Sequence, residues 1–562
     1  MTVKPLLPYI ELNQVDKSQL VNALSCPLHT ESLRDWRRGV LTGEAGFPDG
    51  YVMKVDVAET PPLVTALEDF RAFMRKCMAV EEKQAGAYPI RIELDASVGP
   101  LESFSIDIAD NECRIKASGT QGVRRALIFL EDEMSIRCFP ALARGKVSRR
   151  PAVSTRISRS PYASYRFGTG WELDKEEDAY PEEYLNRLAH CGVNGIWVAG
   201  ILRELVASKV LPEMTVMETR LDLLARLVEK ASLYGIKVYF FCIEPRIQDD
   251  YDPVFRNHPE IRGAKWGNYG RTLCSSHPLI LEYIEDITAE LFKKAPGLGG
   301  IINLFRGERT TACCSPAPPV SGRGARPADY VKACPRCSAR AMEDIYCDEL
   351  EAFYNGMRSV APDAELIAWN YGHGQTELNQ KILKKLNPEI KFLDTFEHDG
   401  KKEICGRIGT IDEYSISYIG PSKPFQTLQQ YAAENKKQLY AKLQLGATFE
   451  SAAMPYVPVP ASPYRKFREL QKSGIKGVML SWIIGGFPSI MHKAAGEASF
   501  LPLADENDFI KRLAAIQWGE KYSAQITKAW IHFFNAYDLY PFSSQVFYFG
   551  PITRSPAYHL YL

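Results

Sequence analysis

From about residue 164 to residue 490 the chain repeats one unit, a short apolar run followed by a longer amphipathic stretch. The runs are SYRFGT (164–169), NGIWVAG (194–200), IKVYFFCIE (236–244), GGIINLF (299–305), AELIAWN (364–370), IKFLDTF (390–396), QLYAKLQL (438–445) and KGVMLSW (476–482). Between them lie stretches with helical spacing of apolar residues, such as EEYLNRLAHCG, RLDLLARLVEKASLYG and LILEYIEDITAELFKKA. Strands buried on both faces read as continuous apolar runs, and parallel neighbours need a crossover helix between them. Eight such units predict an α/β fold, a (β/α)8 barrel. An open doubly wound sheet is the rival, but no glycine-rich phosphate-binding turn follows the first strand.

The flanks differ from this repeat. Residues 1–150 carry strand-like IRIELDASV, SFSIDIA and CRIKAS before a helical GVRRALIFLEDEMS, which predicts a small α+β domain. The polar, basic stretch 145–161 reads as a linker into the barrel, taken as 151–490. Residues 491–562 read as a helical C-terminal extension ending in an aromatic tail, PFSSQVFYFGPITRSPAYHLYL.

Charge excludes some functions. Sixty-eight basic and 68 acidic residues cancel, which gives no electrostatic case for nucleic acid or an anionic membrane surface. No apolar stretch approaches the ~20 residues of a membrane span, and MTVKPLLPYIELNQVDKSQL lacks the apolar core of a secretion signal. The expectation is a soluble cytoplasmic protein, with its oligomeric state, homo-oligomer included, left open.

In barrels of this kind the site forms at the C-terminal strand ends. Those ends here carry Arg166, Trp197, Glu244, Arg306 and Glu308, then Trp369, Tyr371 and His373, then Glu397, His398 and Asp399, and finally Glu450 and Trp482. No end holds a Ser–His or Cys–His pair suited to acyl transfer. Aromatics with carboxylates suit a carbohydrate: the C–H face of a sugar stacks on an indole or phenol, and glycosidic cleavage needs an acid plus a second group at the anomeric carbon. Ordinary core packing for the aromatics and a solvated rim for the charges is the competing reading.

The phrase TLCSSHPLILEYIEDITAELFKKAPGLGGIINLFRGE (272–308) resembles one in glycoside hydrolase family 20, the β-N-acetylhexosaminidases, where a Leu-Cys-Pro-Ser-like phrase precedes a helix and the next strand ends Gly-Gly-Asp-Glu. Weaker similarity extends the likeness over roughly residues 100 to 310. The resemblance implies an exo-acting hydrolase for a terminal β-linked N-acetylhexosamine, N-acetylgalactosamine for preference, with Glu308 as general acid. It also implies that Arg166 binds sugar hydroxyls and that Trp482 stands loosely for the wall around the acetamido group. The family's Asp, which orients the substrate's own acetamido group, is replaced by Gly307. Glu397 or Asp399 is the candidate second catalytic group, and Trp197, Trp369, Tyr371, His373 and His398 are candidate sugar contacts. A two-carboxylate glycosidase for another sugar, such as a uronic acid, or an endo-acting hexosaminidase, remains open. So does a non-catalytic sugar-binding protein.

No cofactor is expected for catalysis. Cys313-Cys314 and Cys334-Pro-Arg-Cys337 bracket a Pro- and Gly-rich loop, a spacing that suits a structural zinc held by Cys313, Cys314, Cys334 and Cys337. Free thiols and a disulfide are the alternatives.

Overall fold

Eight parallel strands close into a barrel. In chain order they are β1 (Thr155–Ser158), β2 (Gly195–Ala199), β3 (Lys237–Cys242), β4 (Gly300–Arg306), β5 (Glu365–Asn370), β6 (Lys391–Thr395), β7 (Leu439–Lys442) and β8 (Gly477–Met479), each bonded to its neighbours and β8 to β1. This computed structural model describes residues 24–84, 86–160, 173, 178–213, 218–266, 270–307, 310–315, 334–371, 374–411, 413–448, 456–482 and 485–540. The three helical stretches quoted above form helices Glu182–His190, Glu218–Ser232 and Pro278–Lys294. Seven strands stand where the apolar runs predict them.

The first does not. SYRFGT lies outside the described residues, and the barrel is closed by Thr155–Ser158, inside the stretch read as a linker. The physical reason is Arg156, which makes the strand look polar. Its side chain is fully buried, with Nη2 donating to both oxygens of Glu102 at 2.6 and 2.7 Å. Arg125 Nε donates to the same carboxylate at 2.9 Å and Asn194 Nδ2 at 3.1 Å. An ion cluster between two domains thus hides a core strand from hydropathy.

The N-terminal domain is a six-stranded sheet in the order 51–56, 88–94, 113–117, 104–108, 145–151 and 500–501. Helices Pro61–Lys76 and Thr120–Arg137 cover one face in a single core with Phe70, Ile90, Ile106, Ile115 and Leu127. The rest of the expected linker, Gly145–Pro151, is a strand of this sheet, and Phe500–Leu501 pairs with it from beyond the barrel. Of the C-terminal extension, helices Glu506–Trp518 and Glu520–Asp538 are described and the aromatic tail from 541 is not. Among the described residues no helix is long and apolar enough to cross a membrane.

Side-chain alternation fills the barrel from the base upward. At the base, Tyr239 and Tyr440 donate their hydroxyls to the two oxygens of Glu365, at 2.6 and 2.9 Å. Above them Ile157, Trp197, Phe241, Ile302, Ile367 and Leu393 pack together, and Trp369, Trp482 and Tyr414 join them.

Candidate active site at the barrel mouth

Three tryptophans form the floor of the mouth. Trp197 and Trp482 stack with centroids 5.2 Å apart, and Trp369 meets Trp482 edge-on at 4.8 Å. Trp197 and Trp369 are wholly enclosed, and neither indole nitrogen has a hydrogen-bond partner among the described residues. Trp482 is 7% exposed, and its backbone N–H donates to Gln444 Oε1 at 3.1 Å. Of the three, the expected sugar contacts at Trp197 and Trp369 are core residues that shape the floor, because inward positions in mid-strand are filled by neighbours in the barrel layers.

Arg159, which sequence reasoning passed over, follows β1 directly. Its guanidinium lies 4.0 Å from the Trp197 ring centroid and 5.6 Å from that of Trp482, and the residue is buried. The moved first strand therefore puts Arg159 at the β1 end, the place that the sequence assigned to Arg166. Arg166, Glu308, His373 and Glu450 lie outside the described residues.

The end of β4 explains its odd sequence. Its register with β5 shifts between Leu304 and Arg306, a bulge that re-aims the following side chain. Arg306 accordingly points to the outer helix Thr376–Lys385, donating from Nη1 to Asn379 Oδ1 at 2.7 Å and from Nη2 to Gln375 Oε1 at 2.8 Å. Gly307 follows with φ of +117°. A Cβ there would sit 2.3 Å from both the carbonyl carbon and the oxygen of Tyr371. No side chain fits at 307, so the carboxylate that the resemblance places there is sterically excluded.

Tyr371 is itself part of a polar group. Tyr414 donates its hydroxyl to that of Tyr371 at 3.2 Å, and burial foremost, then the neighbouring Tyr414 and Glu413, push the Tyr371 phenol well above its ordinary value. Lys442, at the end of β7, lies 3.7 Å from the Tyr414 ring centroid and donates to Leu443 O at 2.8 Å and Gln444 Oε1 at 3.1 Å. Burial brings its ammonium down to about 7. Neither Glu413 nor Lys442 carried a sequence signal: one lies in a loop, and the other looks like a solvated lysine in a short strand.

The β6 end separates its polar residues. Glu397 is fully buried and ion-paired with Lys466, whose ammonium also donates to Ser415 O at 2.8 Å. Burial raises its acid above the ordinary range against the attraction of Lys466. Asp399 is half exposed on a loop, 3.7 Å from His398 Nε2. Asp394 accepts from Asn370 Nδ2 at 2.9 Å and from its neighbour's backbone at 2.6 Å, and burial raises it to about 6. It lines a small cavity with Asn370, Asn379 and His398, on the helix side of the strands. Glu244, at the β3 end, accepts from the backbone of Leu202 at 3.2 Å and of Arg246 at 2.8 Å.

Among the described residues no two cysteines form a disulfide. Four converge, but they are Cys274, Cys313, Cys334 and Cys337, with sulfurs all within 4.8 Å of one another. Cys314 is not among them. Consecutive residues turn to different sides, and burial foremost, then the neighbouring Glu349, pushes its thiol up to about 12. A second group that could hold a metal, His29, Asp69, Glu131 and His190, stands apart at the seam with the N-terminal domain, where His190 Nε2 and Asp69 are 2.7 Å apart.

No protein family's sequence profile matches the chain, and no curated protein matches it in sequence. Solved structures do. A GH138 enzyme targeting pectin rhamnogalacturonan II aligns over 89% of this chain with a TM-score of 0.59 at 12% identity; the chain spans 56% of that protein's length. CpGH84B aligns over 88% of this chain and 76% of its own, with a TM-score of 0.50 at 10% identity. A GH20 chitobiase from Flavobacterium johnsoniae aligns over 89% of this chain and 72% of its own, with a TM-score of 0.48 at 14% identity. At such identities the likeness is one of fold.

Proposed function

We propose that the chain is a glycoside hydrolase that removes a terminal β-linked N-acetylhexosamine, N-acetylgalactosamine for preference, with Glu308 as general acid. The observation that carries this reading is the turn at the end of β4. The bulge sends Arg306 to Asn379 and Gln375 on the outer side, so one of the two arginines that flank Glu308 in the sequence is occupied elsewhere. A general acid must keep its proton near neutral pH, which a facing guanidinium would oppose.

The acetamido-orienting function moves in this reading. The Tyr371 backbone fills the space of a side chain at 307, and the Tyr371 hydroxyl, bonded by Tyr414 with Glu413 beside it, takes that function in this proposal. Glu397, locked to Lys466, positions the wall of the site. Asp399 stays the candidate for a second carboxyl, with His398 beside it. Arg159 binds sugar hydroxyls in place of Arg166, and Trp482 supplies the stacking face.

A second reading is a glycosidase for an acidic sugar, which the buried Arg159 guanidinium at the floor favours. A panel of nitrophenyl glycosides separates the two. Turnover of the N-acetyl-β-hexosaminides alone supports the first; turnover of uronides alone supports the second, and no hydrolysis of any member refutes both.

A further inference from the structure

We propose that Cys274, Cys313, Cys334 and Cys337 bind one zinc ion, which clamps the loop after β4 to the segment that precedes the next barrel helix. This goes beyond the glycosidase reading and does not depend on it. It also differs from the set that spacing suggests, since Cys274 stands in for Cys314.

The distances fit a tetrahedron. Four thiolates around zinc at ~2.3 Å lie about 3.8 Å from one another. Cys274 Sγ is 3.5 Å from Cys334 Sγ and 3.6 Å from Cys337 Sγ. A disulfide needs its sulfurs at ~2.05 Å, so these are separate thiols crowded around one point. All four residues are buried, none more than 1% exposed. Packing four thiols into one enclosed spot without an ion leaves their polar sulfurs facing one another.

The surroundings are built for negative sulfur. Four thiolates and one zinc carry two negative charges in excess, and such a site is steadied by donors to the sulfurs. The backbone N–H of Ala264 donates to Cys313 Sγ at 3.3 Å, and Arg336 Nε donates to Cys274 Sγ at 3.3 Å. Neither group can accept, so these sulfurs act as acceptors. The Thr272 hydroxyl lies 3.1 Å from Cys313 Sγ and the Ser276 hydroxyl 3.2 Å from Cys337 Sγ. Gly263 completes the cradle: a Cβ there would stand 2.6 Å from Cys313 Sγ and 2.2 Å from Thr272 Oγ1.

The ligands come from three separate pieces of chain. Cys274 follows the hairpin Arg262–Trp266 and Gly270–Leu273, Cys313 follows β4, and Cys334 and Cys337 form a turn before helix Met342–Arg358. Cys313 lies five residues after position 308, so an ion here fixes the course of the chain immediately beyond the proposed acid.

The test is the metal content of the full chain purified without chelator and dialysed against metal-free buffer. About one zinc per chain is expected, released in step with a mercurial that titrates the four thiols. Cobalt exchanged into the site should show the sulfur-to-metal charge-transfer bands and intense visible bands of a tetrahedral four-thiolate ion. Cys314→Ser should keep the metal and Cys274→Ser should lose it. Folded wild-type protein that carries no zinc and takes up no cobalt overturns the proposal even if Cys274→Ser fails to fold. So does a metal lost in Cys314→Ser but kept in Cys274→Ser.

Discussion

Placing at 307 the aspartate of the family 20 phrase that this segment resembles should damage the chain. Gly307→Asp puts a Cβ 2.3 Å from the Tyr371 carbonyl, against an ordinary carbon–carbon or carbon–oxygen approach of about 3.4 Å or more. One of the two backbones must move by about 1 Å. The φ of +117° adds strain of about 1–3 kcal/mol for any residue with a Cβ. Crowding in a packed region adds about 1–3 kcal/mol, for a total of roughly 2–6 kcal/mol. At about 2 °C per kcal/mol for a large domain, Tm should fall by roughly 4 to 12 °C. Moving Tyr371 by about 1 Å should also cost on the order of 100-fold in kcat/KM on an N-acetylhexosaminide, because catalytic geometry tolerates little displacement. Gly307→Ala is the control: it carries the same strain without a carboxylate, so it should lose stability to a similar degree. The measurements are thermal melts and steady-state kinetics of both variants beside the wild type. An aspartate variant that melts with the wild type and hydrolyses the substrate faster would show that 307 is open space for an orienting carboxylate, and the account of the β4 turn would fall.

Glu308→Gln should leave the melt unchanged and reduce kcat on substrates with sugar or alkyl leaving groups by about 10²–10⁴-fold, with a much smaller loss for dinitrophenyl substrates that need no proton; equal losses on both classes count against an acid role. Glu102→Gln leaves two buried guanidiniums facing a neutral amide, so unfolding should become easier by about 3–5 kcal/mol, read from the denaturant midpoint, and an unchanged midpoint would exclude the interdomain ion cluster as a stabilising element. Asp394 is raised by burial from 3.8 to about 6. Between those values the folded chain holds a proton that the unfolded chain has released, so its contribution to stability falls as pH rises through that window, by up to about 3 kcal/mol. Asp394→Asn should therefore match the wild type below pH 4 and exceed it above pH 6; a stability difference that does not change with pH contradicts the shift.

Hydropathy finds a strand when its neighbours are apolar, and that is why seven of the eight barrel strands stand where the apolar runs lie. It fails at β1 for a reason visible in the side chains: Arg156 is inside the protein because Glu102 from another domain meets it, and no local pattern can announce a partner 54 residues away. That one miss displaced the first-strand arginine from Arg159 to Arg166. The cysteine cluster shows the same limit from another side. Cys334 and Cys337 are readable because a two-residue gap makes a knuckle by itself, whereas the choice between Cys313 and Cys314 depends on which way one loop turns, and Cys274 joins from the preceding β3–β4 connection, 39 residues earlier in the chain than Cys313. Gly307 is the converse case. As a departure from the family phrase it read as a missing function, yet its cause is the Tyr371 backbone lying 2.3 Å from where a Cβ would be. The glycine and its neighbour belong to one arrangement, in which the Tyr371 backbone fills the space of a side chain at 307 and the Tyr414 hydroxyl holds the Tyr371 phenol.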